Sequence, residues 1–575
     1  MPTDRPQPAW RARYGILIAA LLLSVACQLY ICAQSPIISK DGVGFIHIAK
    51  SLAVAPAMTM RTYDQHPGYP ALVLACERAY RRFSDDDEFQ SFIAGTRLAS
   101  GICGVFAVAF LWLFARRLYD ERIANVSVLL MAVWPLFRLN ASDSLSDTPH
   151  LMLFLAGTWL ACEGLTSRGR RVGWFAAAGV ASGLAFWVRP EGLVVAAATA
   201  VALFVAACWQ FLFKQRRQDR TAGLAAPDEP SRAADEPPRL AFYAGSLVAL
   251  IVATGMVVAP YVVVAGKITS KKLPFGQPPP SAHEVAMETI EPTPGLLSEP
   301  RPGGTLPDEF GRPSRFIGVV ALGLIELGRE MAQGFYYLAL IPLAFGTFAP
   351  SRPQPAPRLT LIHILLMNGH AALLMLLYLR AGYISHRHVI PLVALMLPTA
   401  AAGTVWLAEL ASRRLTLAGS PRRALAIATG LFYLGLVPKC LTPLQAAYLP
   451  VFQAAQRVKA EAKPGDCVLS TSGYVRFYTD LPGILVGSEA PNLPIALYFA
   501  PDKIWSFIVL EIDDRSFDRQ FLIGSQGDYD EVMELPAHPR KPWAKVVVFR
   551  ARAGARKAAS QLARVPAQDP APPAQ

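Results

Sequence analysis

A chain of 575 residues that is 53% hydrophobic, only 17% charged and of mean hydropathy +0.32 is too apolar for an ordinary soluble protein of its size. Its formal charge of +13 does not mark a nucleic-acid binder, because the basic residues sit in short connectors between apolar runs and form no stripe with interleaved aromatics. The 8 cysteines make no C-x-x-C pair and lie mostly inside apolar runs (Cys27, Cys103, Cys162, Cys208, Cys440), which argues against a disulfide framework and a zinc site.

A bilayer crossing takes roughly 20 apolar residues, and on that measure the chain predicts about eleven transmembrane helices. They fall at 14–33, 95–115, 123–138, 149–165, 172–188, 190–212, 241–264, 331–349, 359–379, 388–411 and 423–441. The first carries a basic flank like a secretory signal, but its apolar core is long and no clear cleavage site follows, so it is expected to be retained. The connectors Arg116-Arg117…Arg122, Arg168…Arg171, Lys214…Arg220, Arg352…Arg358 and Arg413…Arg423 all fall on one side, which the positive-inside rule assigns to the cytoplasm. The odd number of spans then carries the C-terminal region outside. Arg189-Pro190-Glu191-Gly192 interrupts the run 172–212 and predicts a helical hairpin turning at the outer surface.

Between the spans, the outer loop 34–94 includes an amphipathic stretch at 68–75 expected to lie along the interface. Residues 221–238, rich in Ala, Pro, Asp and Glu, are expected to be disordered on the cytoplasmic side. A second outer segment, 265–330, holds a Pro- and Gly-rich stretch at 268–314 that is too long for a simple connection and predicts a mobile cover. Composition turns soluble near 446. An amphipathic helix at 449–462 and short apolar runs at 467–472, 484–487, 506–511 and 545–549 predict a small extracytoplasmic α/β domain over 446–552, followed by a disordered tail over 553–575. The expected organisation is therefore a mainly α, polytopic membrane domain over 1–445 with this small domain behind it.

The side opposite the arginine-rich connectors collects the residues able to do chemistry. Ionisable groups near hydrocarbon are costly and usually functional. Asp41, just after the first span, suits a general base, or else the N-cap of a helix over 42–52. Asp143 and Asp147, four apart where the fourth span begins, could share a helical face and hold an acceptor, with Asp147 alternatively a cap. Arg189 and Glu191 read first as an ion pair fixing the hairpin. Arg387, flanked by His386 and His388, suits a phosphate, because a guanidinium fork matches that anion and positive-inside charge does not explain it there. Lys271 and Lys272 add positive charge that could meet the same anion. His66 is placed to touch substrate or to cap the interfacial helix. His47, His66 and His150 lack a nearby third ligand and give no metal site; a divalent ion is possible but unsupported.

In order and sidedness these stretches resemble the membrane glycosyltransferases of the GT-C fold, the superfamily of the protein O-mannosyltransferases and the aminoarabinose transferase acting on lipid A. The residues that carry the likeness are Asp41 in the first outer loop, His66-Pro67-Gly68-Tyr69-Pro70, Ser146-Asp147-Thr148-Pro149, the run 183–192 ending Arg189-Pro190-Glu191-Gly192, Pro260-Tyr261, and Ser385-His386-Arg387-His388-Val389-Ile390-Pro391. It departs from that pattern in carrying Asp147 for a glutamate, His388 for a tyrosine and Gly42 after Asp41. The resemblance implies a polyprenyl-phosphate sugar as donor, a lipid, polysaccharide or protein acceptor, and a multi-pass plasma-membrane enzyme with an extracytoplasmic site. Asp41 would deprotonate the acceptor hydroxyl for inverting attack. Arg387, with Lys271 or Lys272, would neutralise the departing phosphate, while Asp147 and Glu191 position the site, and no cofactor is required. The rival reading is a polytopic transporter or flippase of envelope glycolipids, against which stands the clustering of ionisable groups at span ends rather than mid-bilayer.

Overall fold

The computed structural model describes residues 10–167, 171–221, 240–268, 313–349, 354–355, 357–414, 420–485, 505–512, 529–538 and 541–552. The chain divides into two units, residues 1–34 with 44–442, and residues 35–43 with 443–575.

The first unit is helical. Its helices are α1 (Trp10–Gln34), most of α2 (Lys40–Val54), α3 (Pro56–Thr62), α4 (Gly68–Tyr80), α5 (Glu88–Leu118), α6 (Glu121–Val133), α7 (Pro135–Ser142), α8 (Asp147–Thr166), α9 (Arg171–Val188), α10 (Leu193–Thr221), α11 (Leu240–Ala265), α12 (Pro313–Gly334), α13 (Leu340–Phe348), α14 (Pro357–Ala381), α15 (Ile390–Arg414) and α16 (Pro421–Cys440). Among the described residues, seven helices are long and apolar enough to cross a membrane, or eight if the bent pair α6 and α7 counts as one span. Local chemistry sets their starts. Asp87 accepts from Gln90 N at 2.7 Å to begin α5, Asp120 accepts from Ile123 N at 2.8 Å to begin α6, and Ser420 caps α16.

Two of the expected spans look different in three dimensions. The stretch 123–138 is broken at Pro135, where α6 and α7 meet at 54°, because proline cannot donate the hydrogen bond that would continue the helix. The stretch 331–349 is divided between the end of α12 and the whole of α13. Tyr336 and Tyr337 adopt left-handed φ values of 51° and 56° in the turn between them, and Trp134 Nε1 donates to the Gly334 carbonyl at 2.8 Å where α12 ends. Residues 68–75 form the start of α4, whose Tyr69, Pro70, Val73 and Glu77 are buried, so the amphipathic stretch packs one face into the protein. The predicted hairpin at 189–192 is present as a single 3₁₀ turn, Pro190–Gly192, between α9 and α10. Gly192 is required there: a Cβ would stand 2.3 Å from the Ala185 carbonyl carbon, and the Gly192 carbonyl accepts from Ser182 Oγ at 2.7 Å.

The interior is aliphatic and aromatic, with Trp112, Trp134, Phe114, Phe154 and Phe175 nearly wholly buried. Several polar groups inside it bond across helices. Arg138 is fully buried, donating to Ser24 Oγ at 2.6 Å and to the Gly104 carbonyl at 3.3 Å. Arg117 grips Glu163 through two bonds of 2.5 and 2.6 Å, an arginine fork on a carboxylate that joins α5 to α8.

The second unit holds helices α17 (Leu449–Glu461) and α18 (Gly473–Thr479) and a five-stranded sheet of β1 (Val468–Ser470), β2 (Gly483–Leu485), β3 (Phe507–Ile512), β4 (Tyr529–His538) and β5 (Lys541–Ala551). The sheet order is β2-β1-β3-β5-β4, parallel among the first three and antiparallel at β5. Four strands coincide with predicted apolar runs. The fifth, β4, carries Asp530, Glu531 and Glu534 and shows no apolar run; its ladder to β5 makes it a strand. Residues 35–43 belong to this unit. Ile38 N donates to Tyr478 Oη at 3.0 Å, Leu444 N donates to Ser35 Oγ at 2.8 Å, and Lys40 Nζ lies 5.7 Å from the centre of the Tyr448 ring.

Candidate active site

Three helix ends of the first unit converge on one charged cavity. The turn 143–146 delivers Asp147 as the first residue of α8, the α9–α10 turn delivers Arg189 and Glu191, and the 382–389 loop before α15 delivers His388. Counted together with the solvent at its open mouth, the cavity encloses about 410 Å³. Asp147, His150, Arg189, Glu191, His370 and His388 form its polar lining, and Leu373, Leu374 and Leu377 on α14 make an apolar wall.

The centre of the polar side is an ion pair between Arg189 and Asp147, whose side chains are 22% and 4% exposed. A carboxylate this buried requires such a partner. Arg189 therefore reaches across to α8, forty-two residues away in sequence, where the sequence pointed first to Glu191 as its partner. The extended backbone of Arg189 (φ −152°, ψ 140°) at the end of α9 puts the guanidinium in that position.

The loop around Arg387 is a tight turn. His388 N donates to the Ser385 carbonyl at 2.9 Å, and Ser385 N donates to His388 Nδ1 at 3.2 Å. Burial, reinforced by the nearby Arg189 guanidinium, pushes the His388 imidazole down to about 4, and burial with the adjacent Arg387 lowers His386 as well. Both imidazoles are then neutral at pH 7. Of the three basic-capable side chains at 386–388, Arg387 alone carries positive charge at that pH, and its field reaches Asp147.

Two further histidines complete the lining. His370 is 2% exposed and its Nε2 meets the His388 carbonyl at 3.2 Å, while its Nδ1 is buried with no protein partner. His150, 3% exposed and one helical turn beyond Asp147, has its Nε2 buried without a partner. The sequence passed over His370 as part of a span and weighed His150 only as a metal ligand. The available signal was an imidazole in the middle of an apolar run, which is itself a marker of function.

The remaining expected site residues lie elsewhere. Asp41 is in the first turn of α2, in the second unit; Ser39, whose Oγ accepts from Gly42 N at 3.2 Å, occupies the cap position, so Asp41 is not the N-cap. Asp143 and Asp147 do not share a helical face. Asp143 ends α7 and its Oδ1 accepts from Ser144 N at 2.7 Å, so the turn between the two helices separates the carboxylates. His66 is 4% exposed and sits in an aromatic cage, stacked on Tyr261 at 4.9 Å and edge-on to Phe186 at 5.0 Å, away from the cavity lining. It caps no helix, since Pro67 holds that place at α4. Lys271, Lys272 and the predicted cover 268–314, apart from its two ends, lie outside the described residues.

Comparison with known proteins follows the same lines. The family model of dolichyl-phosphate-mannose-protein mannosyltransferases matches residues 89–224. No curated protein sequence matches the chain. Among solved structures, the chain is similar to ArnT from Cupriavidus metallidurans bound to undecaprenyl phosphate, at 14% identity and a TM-score of 0.51, covering 95% of this chain and 99% of that one. It is also similar to the oligosaccharyltransferase of Archaeoglobus fulgidus, at 13% identity and a TM-score of 0.49, covering 87% and 68%. Matching ArnT over nearly the whole of that chain's length, this chain has the GT-C fold.

Proposed function

We propose that this protein is a membrane glycosyltransferase that moves a sugar from a polyprenyl-phosphate donor to an acceptor hydroxyl on the extracytoplasmic face, with inversion at the anomeric carbon. The observation that carries the reading is the cavity where helix ends bring the buried Asp147–Arg189 pair together with Glu191 and His388, in a chain that shares the fold of a protein captured with undecaprenyl phosphate.

In this reaction Asp41 accepts the proton of the acceptor hydroxyl as its oxygen attacks the anomeric carbon from the face opposite the phosphate. The bond from that carbon to the phosphate oxygen breaks, and its electron pair leaves with the polyprenyl phosphate. Arg387, with Lys271 or Lys272, neutralises that leaving phosphate. Asp147 and Glu191 hold the site in shape. A phosphate is already a good leaving group, so the step as written requires no metal. Ser39 supports the role of Asp41, because it takes the capping position that would otherwise explain an aspartate there. The arginine-rich connectors support the sidedness.

The test is release of free polyprenyl phosphate by the purified chain in lipid discs, offered undecaprenyl-phosphate mannose, glucose, galactose or arabinose with envelope extract as acceptor. Acceptor-dependent release is expected from the wild type, with a loss of about 10²- to 10⁴-fold in Asp41→Asn at unchanged folding. Full turnover in that variant removes Asp41 from the chemistry. No release from any donor, with a labelled solute crossing liposomes that contain the chain, replaces the transferase with a transporter.

A further inference from the structure

His370 carries a hydrogen-bonding edge that neither the ion pair nor the proposed base and phosphate ligands use. Its Nε2 stands 3.2 Å from the His388 carbonyl oxygen. A carbonyl only accepts, so Nε2 bears the proton, and in a neutral imidazole Nδ1 is then a lone-pair acceptor. That nitrogen is buried with no protein partner in a ring that lines the cavity. An acceptor left dry and unmatched costs stability, so its place here needs an occupant that brings a donor.

The rest of the lining narrows the chemistry of that occupant. The carboxylates of Asp147 and Glu191 make this lining rich in acceptor atoms, and Arg189 is held by Asp147. An ionised phosphate brings acceptors only and leaves His370 Nδ1 unmatched. A polyhydroxylated ring brings several O–H donors, and its C–H face suits the wall of Leu373, Leu374 and Leu377. We infer that this cavity is the pocket for the donor's sugar ring, and that His370 is a specificity residue whose Nδ1 accepts a hydrogen bond from one ring hydroxyl. This rests on the transferase reading and adds to it which cavity reads the sugar and through which atom.

Two substitutions separate the roles of the two ring nitrogens. In His370→Gln the amide can still donate to the His388 carbonyl, but nothing stands where Nδ1 was. In His370→Asn the side-chain oxygen occupies the Nδ1 position as an acceptor. The donor turned over fastest among undecaprenyl-phosphate mannose, glucose, galactose and arabinose is compared with its set of single-deoxy analogues, in full-length chain in lipid discs. The wild type is expected to discriminate against one analogue of the set by about 10- to 100-fold in kcat/KM. His370→Gln should lose that discrimination, mainly through a raised KM for the parent donor, and His370→Asn should recover most of it. Turnover in which His370→Gln discriminates as the wild type does overturns the inference while the transferase reading stands. A loss in both variants that is equal for every analogue makes His370 a structural residue and likewise overturns it. A wild type that releases no polyprenyl phosphate from any donor removes the transferase reading and the sugar pocket together.

Discussion

The Asp147–Arg189 pair gives the sharpest quantitative expectation. Asp147→Leu removes the partner of a guanidinium that is 22% exposed and leaves it facing a cavity whose remaining wall is partly leucine. Breaking a buried pair from one side costs about 3–5 kcal/mol, whereas replacing both members with apolar residues is often near neutral. Because Arg189 keeps some contact with solvent, the low end applies, about 3 kcal/mol. Arg189→Leu strands a carboxylate that is 4% exposed and should cost more, toward about 5 kcal/mol. The double variant Asp147→Leu/Arg189→Leu should regain most of that loss, giving a coupling energy of at least about 2 kcal/mol. Thermal unfolding in lipid discs, followed by intrinsic tryptophan fluorescence at one fixed scan rate, reads all four proteins of the cycle. Single variants that unfold within a degree of the wild type, or a double variant no better than the worse single, would refute the view that this pair is largely buried and coupled.

Three other expectations follow from particular residues. His388 has its folded value near 4 against an ordinary 6.5, so between those values the unfolded chain binds a proton that the folded chain does not. Its contribution is present above about pH 6.5 and is lost as pH falls toward 4; His388→Gln should flatten the pH dependence of unfolding in that window, and an unchanged slope argues against a neutral buried ring. Gly403 on α15 faces α13 so closely that a Cβ would stand 1.7 Å from the Pro342 carbonyl oxygen, so Gly403→Ala should destabilise by about 1–3 kcal/mol in the same unfolding assay, while Gly430→Ala, with no atom near its would-be Cβ, should not. Since phosphate leaves without metal assistance in the proposed step, turnover after dialysis against EDTA should match the untreated enzyme; loss that is restored by one divalent ion places a metal in the reaction.

The sequence alone determined the class of this protein. Hydrophobic runs of membrane length and the sorting of arginines to one set of connectors are one-dimensional properties, and so is the switch to soluble composition near 446. The Arg189-Pro190-Glu191-Gly192 turn was legible because proline and glycine punctuate locally. Helix breaks were less so: nothing in 331–349 announces the left-handed Tyr336 and Tyr337, which are held in a turn between helices. Strand β4 was hidden for the same kind of reason, since its identity comes from pairing with β5 and not from its own residues. The partner of Arg189, the separation of Asp143 from Asp147, the caged position of His66 and the buried, unpartnered Nδ1 of His370 in the cavity wall were decided only by tertiary structure. Each depends on which helix ends meet, and a side chain's charge and type fix what it needs without saying which distant residue will supply it.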